Sequence, residues 1–227
     1  MRRLVVLPLT AALLTLAGYG RAGQSLSVVE LFTSQGCSSC PPANANVAAL
    51  STRPDVIALS FGVTYWDYLG WKDTFAQPAF TARQVAYARA LGHGAPFTPQ
   101  VVVDGEADVV GARPGEIESL IARTRLSGPA LRAANGAVEI GAGRAPAMPA
   151  DVWLVRYDPR TVQTPVKAGE NSGRTLPHKN VVKALIHLGV WRGPSERLTL
   201  PPPAAGLSTA ILLQTRDAGP ILAAARG

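Results

Sequence analysis

The order of apolar runs and turn signals in this 227-residue chain predicts an α/β domain of order β-α-β-α-β-β-α, followed by a small, mainly antiparallel β module. Three observations carry that expectation. Up to about residue 127, short β-branched runs alternate with stretches of helical periodicity. An Asp-Gly turn after the third such run closes a hairpin. Beyond it the helical periodicity stops, and Gly- and Pro-rich turns separate short apolar runs.

Taken in order, SVVELFT (27–33) is β-branched and apolar and reads as the first strand. GCSSCPP follows, and PPANANVAAL then places Val47, Ala48 and Leu50 on one side of a short helix. Pro41 and Pro42 suit its first turn, where backbone N–H groups have no helical partner to lose. DVIALSFGV (55–63) is the second strand, bounded by Pro54, and a loop then carries YWDYLGWKD (65–73). PAFTARQVAYARALG (78–92) is helical, with Phe80, Val85, Tyr87, Ala88 and Leu91 near helical spacing and Gly92 as a stop. PQVVVDG (99–105) and ADVVG (107–111) form the hairpin, and RPGEIESLIARTRL (113–126) is the last helix.

This is the minimal thioredoxin arrangement, and the CxxC falls between first strand and first helix, where that fold keeps its active site. After residue 128, ALRAANGAVEI, DVWLVRY, KNVVKALIHLGVW and TAILLQT read as strands of the β module, packed on the first domain. No internal repeat is visible.

Composition supports a folded chain: hydrophobic residues make up 47% and charged ones 16%, unlike a disordered or fibrous sequence. The N-terminus reads differently. Arg2 and Arg3 precede the apolar run LVVLPLTAALLTLAG, and Gly20 and Ala22 sit at −3 and −1 of a cut after Ala22, the pattern of a secretory signal peptide. The run is shorter than the roughly 20 residues that span a bilayer. The expected division is a signal peptide over 1–22, the α/β domain over 23–127 and the β module over 128–227. The expected location is periplasmic or secreted, with no membrane span after cleavage. Cleavage would lower the net charge from +7 to +4 by removing Arg2, Arg3 and Arg21. The remaining Lys and Arg are scattered, which argues against nucleic acid as a partner.

Cys37 and Cys40 are the only cysteines. A cysteine attacks as its thiolate, and the unpaired N–H groups of a first helical turn stabilise that anion. Cys37 is expected at this exposed leading position as attacker, with Cys40 one turn on as resolver. Thr98-Pro99, just before the third strand, suits the cis-proline loop that faces the CxxC in thioredoxin-like proteins and contacts bound substrate; the alternative is an ordinary trans turn. Tyr65 and Trp66, with Asp67, Tyr68 and Trp71, either line a substrate groove or pack over the core. Glu30, a carboxylate in an apolar strand, needs a partner or a proton. It is a candidate proton relay to Cys40, or it pairs with an arginine or a backbone group.

Two other readings of the cysteines stay open. A structural disulfide is common in exported proteins, although so small a loop constrains little chain. Thiolates also suit Cu(I) or zinc, with His93 as the nearest added ligand in sequence. Phosphate loops and GxSxG are absent.

Four stretches, VVELFTSQGCSSCPPA, TYWDYLGWKD, FTPQVVVDG and GENSGRTLPHKNVV, together resemble a bacterial family of exported thioredoxin-like proteins without assigned function, domain of unknown function 1223. The resemblance spans essentially the mature chain and implies a thioredoxin-like fold with a redox-type CxxC. It supplies no substrate. Relatives carry a His and an Asp just before YWD, where this chain reads FGVTYWD, with Gly62 and Thr64. Glu170, Asn171 and Arg174 form a further cluster suited to docking the β module near the cysteines, or to a plain turn network.

The expected function is therefore an exported thiol–disulfide oxidoreductase that uses the CSSC pair without a cofactor. Its partners would be protein or small-molecule thiols and disulfides and a redox partner protein. The alternative is a Cu(I)- or other metal-handling protein that uses Cys37, Cys40 and His93 on the same scaffold, without exchange catalysis.

Overall fold

The structure is a computed structural model that describes residues 26–227. The expected signal peptide lies outside the described residues. The first half contains β1 (Ser27–Thr33), α1 (Cys40–Leu50), β2 (Val56–Gly62), α2 (Pro78–Ala90), β3 (Gln100–Val103), β4 (Ala107–Val109) and α3 (Pro114–Arg123). The second half is all strand: β5 (Leu131–Ala134), β6 (Ala137–Ile140), β7 (Ala150–Asp158), β8 (Val162–Pro165), β9 (Thr175–His178), β10 (Val181–Trp191), β11 (Glu196–Thr199), β12 (Ser208–Thr215) and β13 (Ile221–Arg226). The molecule is a mixed α/β structure with one large mixed sheet and few helices.

All seven residues of β1 are buried, because β1 is central and covered on both faces. Val29 and Leu31 face a core filled by Ala43, Val47 and Leu50 of α1 and Ile117, Leu120 and Ile121 of α3. Val28 and Phe32 face the other way, towards Phe80 and Tyr87 of α2. Strand alternation thus assigns α1 and α3 to one face and α2 to the opposite one. Pro41 lies in a first helical turn, as expected, and so do Pro78 and Pro114.

The eight-stranded sheet runs β13-β12-β7-β10-β2-β1-β3-β4, so strands of both halves share it. The seam is narrow. β10 meets β2 at a single parallel pair, Val181 with Ser60, reinforced by Asn180, whose Nδ2 donates to Ala58 O at 2.7 Å. The sheet then curls back over α2. Val155, Tyr157, Ala210, Leu212 and Ile221 from the second half join the α2-side core, and Ile221 N donates to Asp104 O at 2.8 Å. The split at residue 128 marks a change of sequence texture rather than a boundary between sheets. Outside the large sheet, β11, β6 and β5 form a three-stranded sheet, and β8 pairs with β9 alone. Among the described residues no helix is long and apolar enough to cross a membrane.

Candidate functional site

Register brings three loops to one end of the sheet. β1 and β2 are parallel, with Thr33 opposite Gly62, so the segments that follow each strand leave together. β3 runs antiparallel to β1 with Gln100 opposite Phe32, which sets Pro99 at the point where β1 ends. The CSSC loop, the 64–73 loop and Thr98-Pro99 therefore meet. The Thr98-Pro99 bond is cis.

Cys37 and Cys40 form a disulfide with Cα atoms 5.5 Å apart. Two expectations for this pair are corrected. Helix α1 begins at Cys40, so Cys37 lies in the turn before it, where its carbonyl accepts from Cys40 N at 3.3 Å. Nor is Cys37 exposed: both cysteines have 0% accessibility. Trp66 and the segment 166–174, the tip of the β8–β9 hairpin, lie against this loop. A Cβ placed on Gly36 would lie 3.1 Å from the Trp66 Cβ, so Trp66 approaches the backbone closely just before Cys37. Asn171, fully buried, donates from Nδ2 to the carbonyls of Gln35 (3.0 Å) and Cys37 (2.8 Å). Arg174 Nη1 holds the Asn171 Oδ1 at 2.6 Å. Beside it, the Glu170 carboxylate accepts from the Ser38 backbone N–H (2.9 Å) and hydroxyl (2.7 Å), and these bonds hold its pKa below the usual range.

The aromatic loop is tied to the same place by Gln35, whose fully buried side chain gave no sequence signal. Its Oε1 accepts from Trp71 Nε1 at 2.8 Å and Thr74 N at 3.2 Å, and its Nε2 donates to Thr74 Oγ1 at 2.9 Å. Its backbone N–H donates to Asp73 Oδ2 at 2.7 Å. Burial raises the Asp73 pKa, while N–H bonds from Gln35 and Phe75 oppose the shift. Trp71 and Asp73 thus support the cysteine loop from beneath.

Of the expected substrate-binding residues, the structure joins Trp66 and Thr98, with Nε1 donating to Oγ1 at 2.8 Å. Pro99 is buried, and Thr98, Tyr65 and Trp66 are half-buried. Burial raises the Tyr65 pKa, and its hydroxyl has no partner in good hydrogen-bond geometry. Tyr68 is 79% exposed and packs over nothing.

Two other candidates are not brought to the cysteines. Glu30 points to the α2 face of β1, whereas Cys40 lies on the stripe of α1 that packs against the opposite face. The sheet separates them, which excludes a direct relay. Glu30 instead pairs with Arg83 and accepts from the Tyr87 hydroxyl, matching the alternative of an arginine partner. His93 is held by Asp108, with Nε2 2.9 Å from Oδ2. Asp108 in turn accepts from Gln100 Nε2 at 2.7 Å. Among the described residues, no group of three or more His, Cys, Asp or Glu side chains is arranged to hold a metal ion.

The site can be compared with known proteins. The chain is similar to protein AGR_C_4864 from Agrobacterium tumefaciens, seen in a crystal structure, at 33% identity over 90% of this chain and 95% of that one, with a TM-score of 0.74. Its fold also resembles HBP35 of Porphyromonas gingivalis, with 15% identity, coverage of 90% and 75%, and a TM-score of 0.55. No curated protein matches it. The model of a family described as "Protein of unknown function (DUF1223)" matches residues 28–214, which include the cysteine loop, Thr98-Pro99 and the Glu170–Asn171 tip, and the chain belongs to that family.

Proposed function

We propose that this protein is an exported, thioredoxin-like thiol–disulfide oxidoreductase in which Cys37 attacks and Cys40 resolves. The observation that carries the reading is the bonded Cys37–Cys40 pair, which joins the loop after β1 to the first residue of α1 beside the entry of β3 at Thr98-Pro99. The element order β1-α1-β2-α2-β3-β4-α3 supports the thioredoxin-like comparison. The basic start, apolar run and small-residue cut site over 1–22 support export to the periplasm or beyond.

The chemistry needs no added cofactor. A substrate dithiol gives up two electrons and two protons and leaves as a disulfide, while Cys37 and Cys40 become thiols; in the reverse step the enzyme dithiol reduces a substrate disulfide. The substrates are protein or small-molecule thiols and disulfides. The test is turnover of a protein disulfide by the full chain. Cys37→Ser should abolish turnover, and Cys40→Ser should accumulate a mixed disulfide with substrate, visible on a non-reducing gel. Turnover by Cys37→Ser at the wild-type rate would overturn the assignment.

A further inference from the structure

An exchange reaction needs a sulfur open to an incoming thiolate, yet both sulfurs here are shut away from solvent. The cover comes from far along the chain. Three features mark the tip 166–174 as a separable part. First, β8 and β9 form a two-stranded sheet of their own, outside the eight-stranded one. Second, the tip is closed by its own bonds: Val166 N donates to Arg174 O and Gly173 N to Val166 O, both at 2.9 Å. These bonds brace the tip from within. Third, its polar hold on that loop comes from two side chains. Asn171 supplies the buried contacts to Gln35 and Cys37, and Glu170 supplies the exposed ones to Ser38. Between them Gly169, at φ +77°, sits against Gly36, where a Cβ would lie 3.6 Å from the Gly36 Cα.

We infer that the β8–β9 tip is a hinged cover over the Cys37–Cys40 disulfide, latched by Asn171 and Glu170, and that it lifts before the pair can exchange. The inference rests on the oxidoreductase reading and adds a regulation of that same site. The tip swings about the exposed ends of β8 and β9, at Pro165 and Thr175, while His178 and Asn180 stay anchored to the body of the protein. With the cover lifted, a substrate thiolate attacks Cys37 Sγ. The Sγ–Sγ bond breaks, and its electron pair leaves on Cys40 as a thiolate. A second substrate thiolate then attacks the mixed disulfide and releases Cys37 as a thiolate, so the substrate departs oxidised by two electrons. With the cover down, the Glu170 carboxylate also presents a negative charge to an approaching thiolate.

The experiment is the rate at which dithiothreitol reduces the full chain, read by alkylation of the freed thiols and mass, with near-UV circular dichroism as the check on folding. Asn171→Ala should be reduced about tenfold faster than wild type, the rate equivalent of losing roughly one net hydrogen bond from the latch. Glu170→Gln should show a smaller increase. It changes an exposed contact and leaves the core untouched, so it carries the test should Asn171→Ala fail to fold. Reduction of the folded variants at the wild-type rate would overturn the cover. Turnover of a protein disulfide, measured in parallel, separates the two ideas. Turnover with unchanged reduction rates removes the cover and keeps the oxidoreductase. Faster reduction of the variants, with no turnover by any form, removes the oxidoreductase and keeps the cover.

Discussion

Arg83 on α2 and Glu30 on β1 form a two-point ion pair inside the core, with Nε 2.8 Å from Oε1 and Nη2 3.0 Å from Oε2. Their side chains are 5% and 0% exposed. The Tyr87 hydroxyl joins the pair and in turn accepts from Gln214 Nε2 at 2.9 Å. The cluster therefore fastens the first half of the chain to β12. A buried pair of this kind gives little net stability over an apolar replacement, but breaking one side leaves an uncompensated charge.

Glu30→Gln should accordingly cost about 3–5 kcal/mol in urea unfolding. The double variant Glu30→Leu/Arg83→Met should recover most of that loss. Because the pair lies across the sheet from α1, the reduction potential of Cys37–Cys40 should stay at its wild-type value in folded Glu30→Gln. A shifted potential would restore the proton-relay role that the structure removes.

Gln35 links the aromatic loop to the cysteine loop through Trp71 and Thr74. Gln35→Ala leaves the Trp71 indole N–H and the Thr74 amide without their acceptor, at a cost of about 1–3 kcal/mol. Thermal unfolding should report that loss, and tryptophan emission should shift to the red as Trp71 loosens. A melting curve that overlays wild type would show that the 64–73 loop holds itself.

Gly62 ends β2 where the chain returns past it. A Cβ there would lie 2.8 Å from both the Ala76 N and the Phe75 carbonyl carbon. These are backbone atoms that cannot rotate away. Gly62→Ala should therefore destabilise by about 1–3 kcal/mol, as other overpacked sites do. An unchanged urea midpoint would mean that segment 75–77 yields freely.

Much of the first half was legible because local rules and burial agree there. The observed bounds of β1, Ser27–Thr33, are legible because a central strand covered on both faces is apolar at nearly every position, with Glu30 as the exception inside it. Pro41 and Pro42 marked the start of α1, and Pro78 and Pro114 occupy the same place in α2 and α3. The second half was read as strands, but sequence alone could not join them to the first sheet. That join rests on one residue pair, Val181 with Ser60, and no periodicity reports a single pair. At the site, the cysteines and Thr98-Pro99 were legible by motif. Gln35 and Asn171 act through contacts with residues up to 136 positions away, and of these only GEN-GRTL left a trace in the sequence. A carboxylate inside an apolar strand shows its need for a partner in the sequence itself, as Glu30 does. Its partner and its face, however, follow from strand alternation against α2 rather than from its distance in sequence to Cys40.

His178 makes stability depend on pH. It is 4% exposed, and its ring stands edge-on to Phe75 with centroids 5.3 Å apart. Lys183 Nζ sits 4.2 Å from the centre of that same Phe75 ring. Burial, helped by the charge of Lys183, pushes the His178 pKa down from 6.5 to about 4. In the unfolded chain His178 takes up its proton near pH 6.5, whereas in the fold it resists until about pH 4. Within that window the unfolded state binds more protons, so stability falls as the pH falls. The loss attributable to His178 should reach about 3 kcal/mol by the lower end and then level off. Asp73 works the other way: burial raises its pKa, so acid relieves a penalty there. Subtracting the urea stability of His178→Gln from that of wild type, measured between pH 7 and 4, isolates the histidine. The difference should shrink steadily towards acid. A constant difference across that range would show that His178 is protonated in the fold as readily as in the open chain.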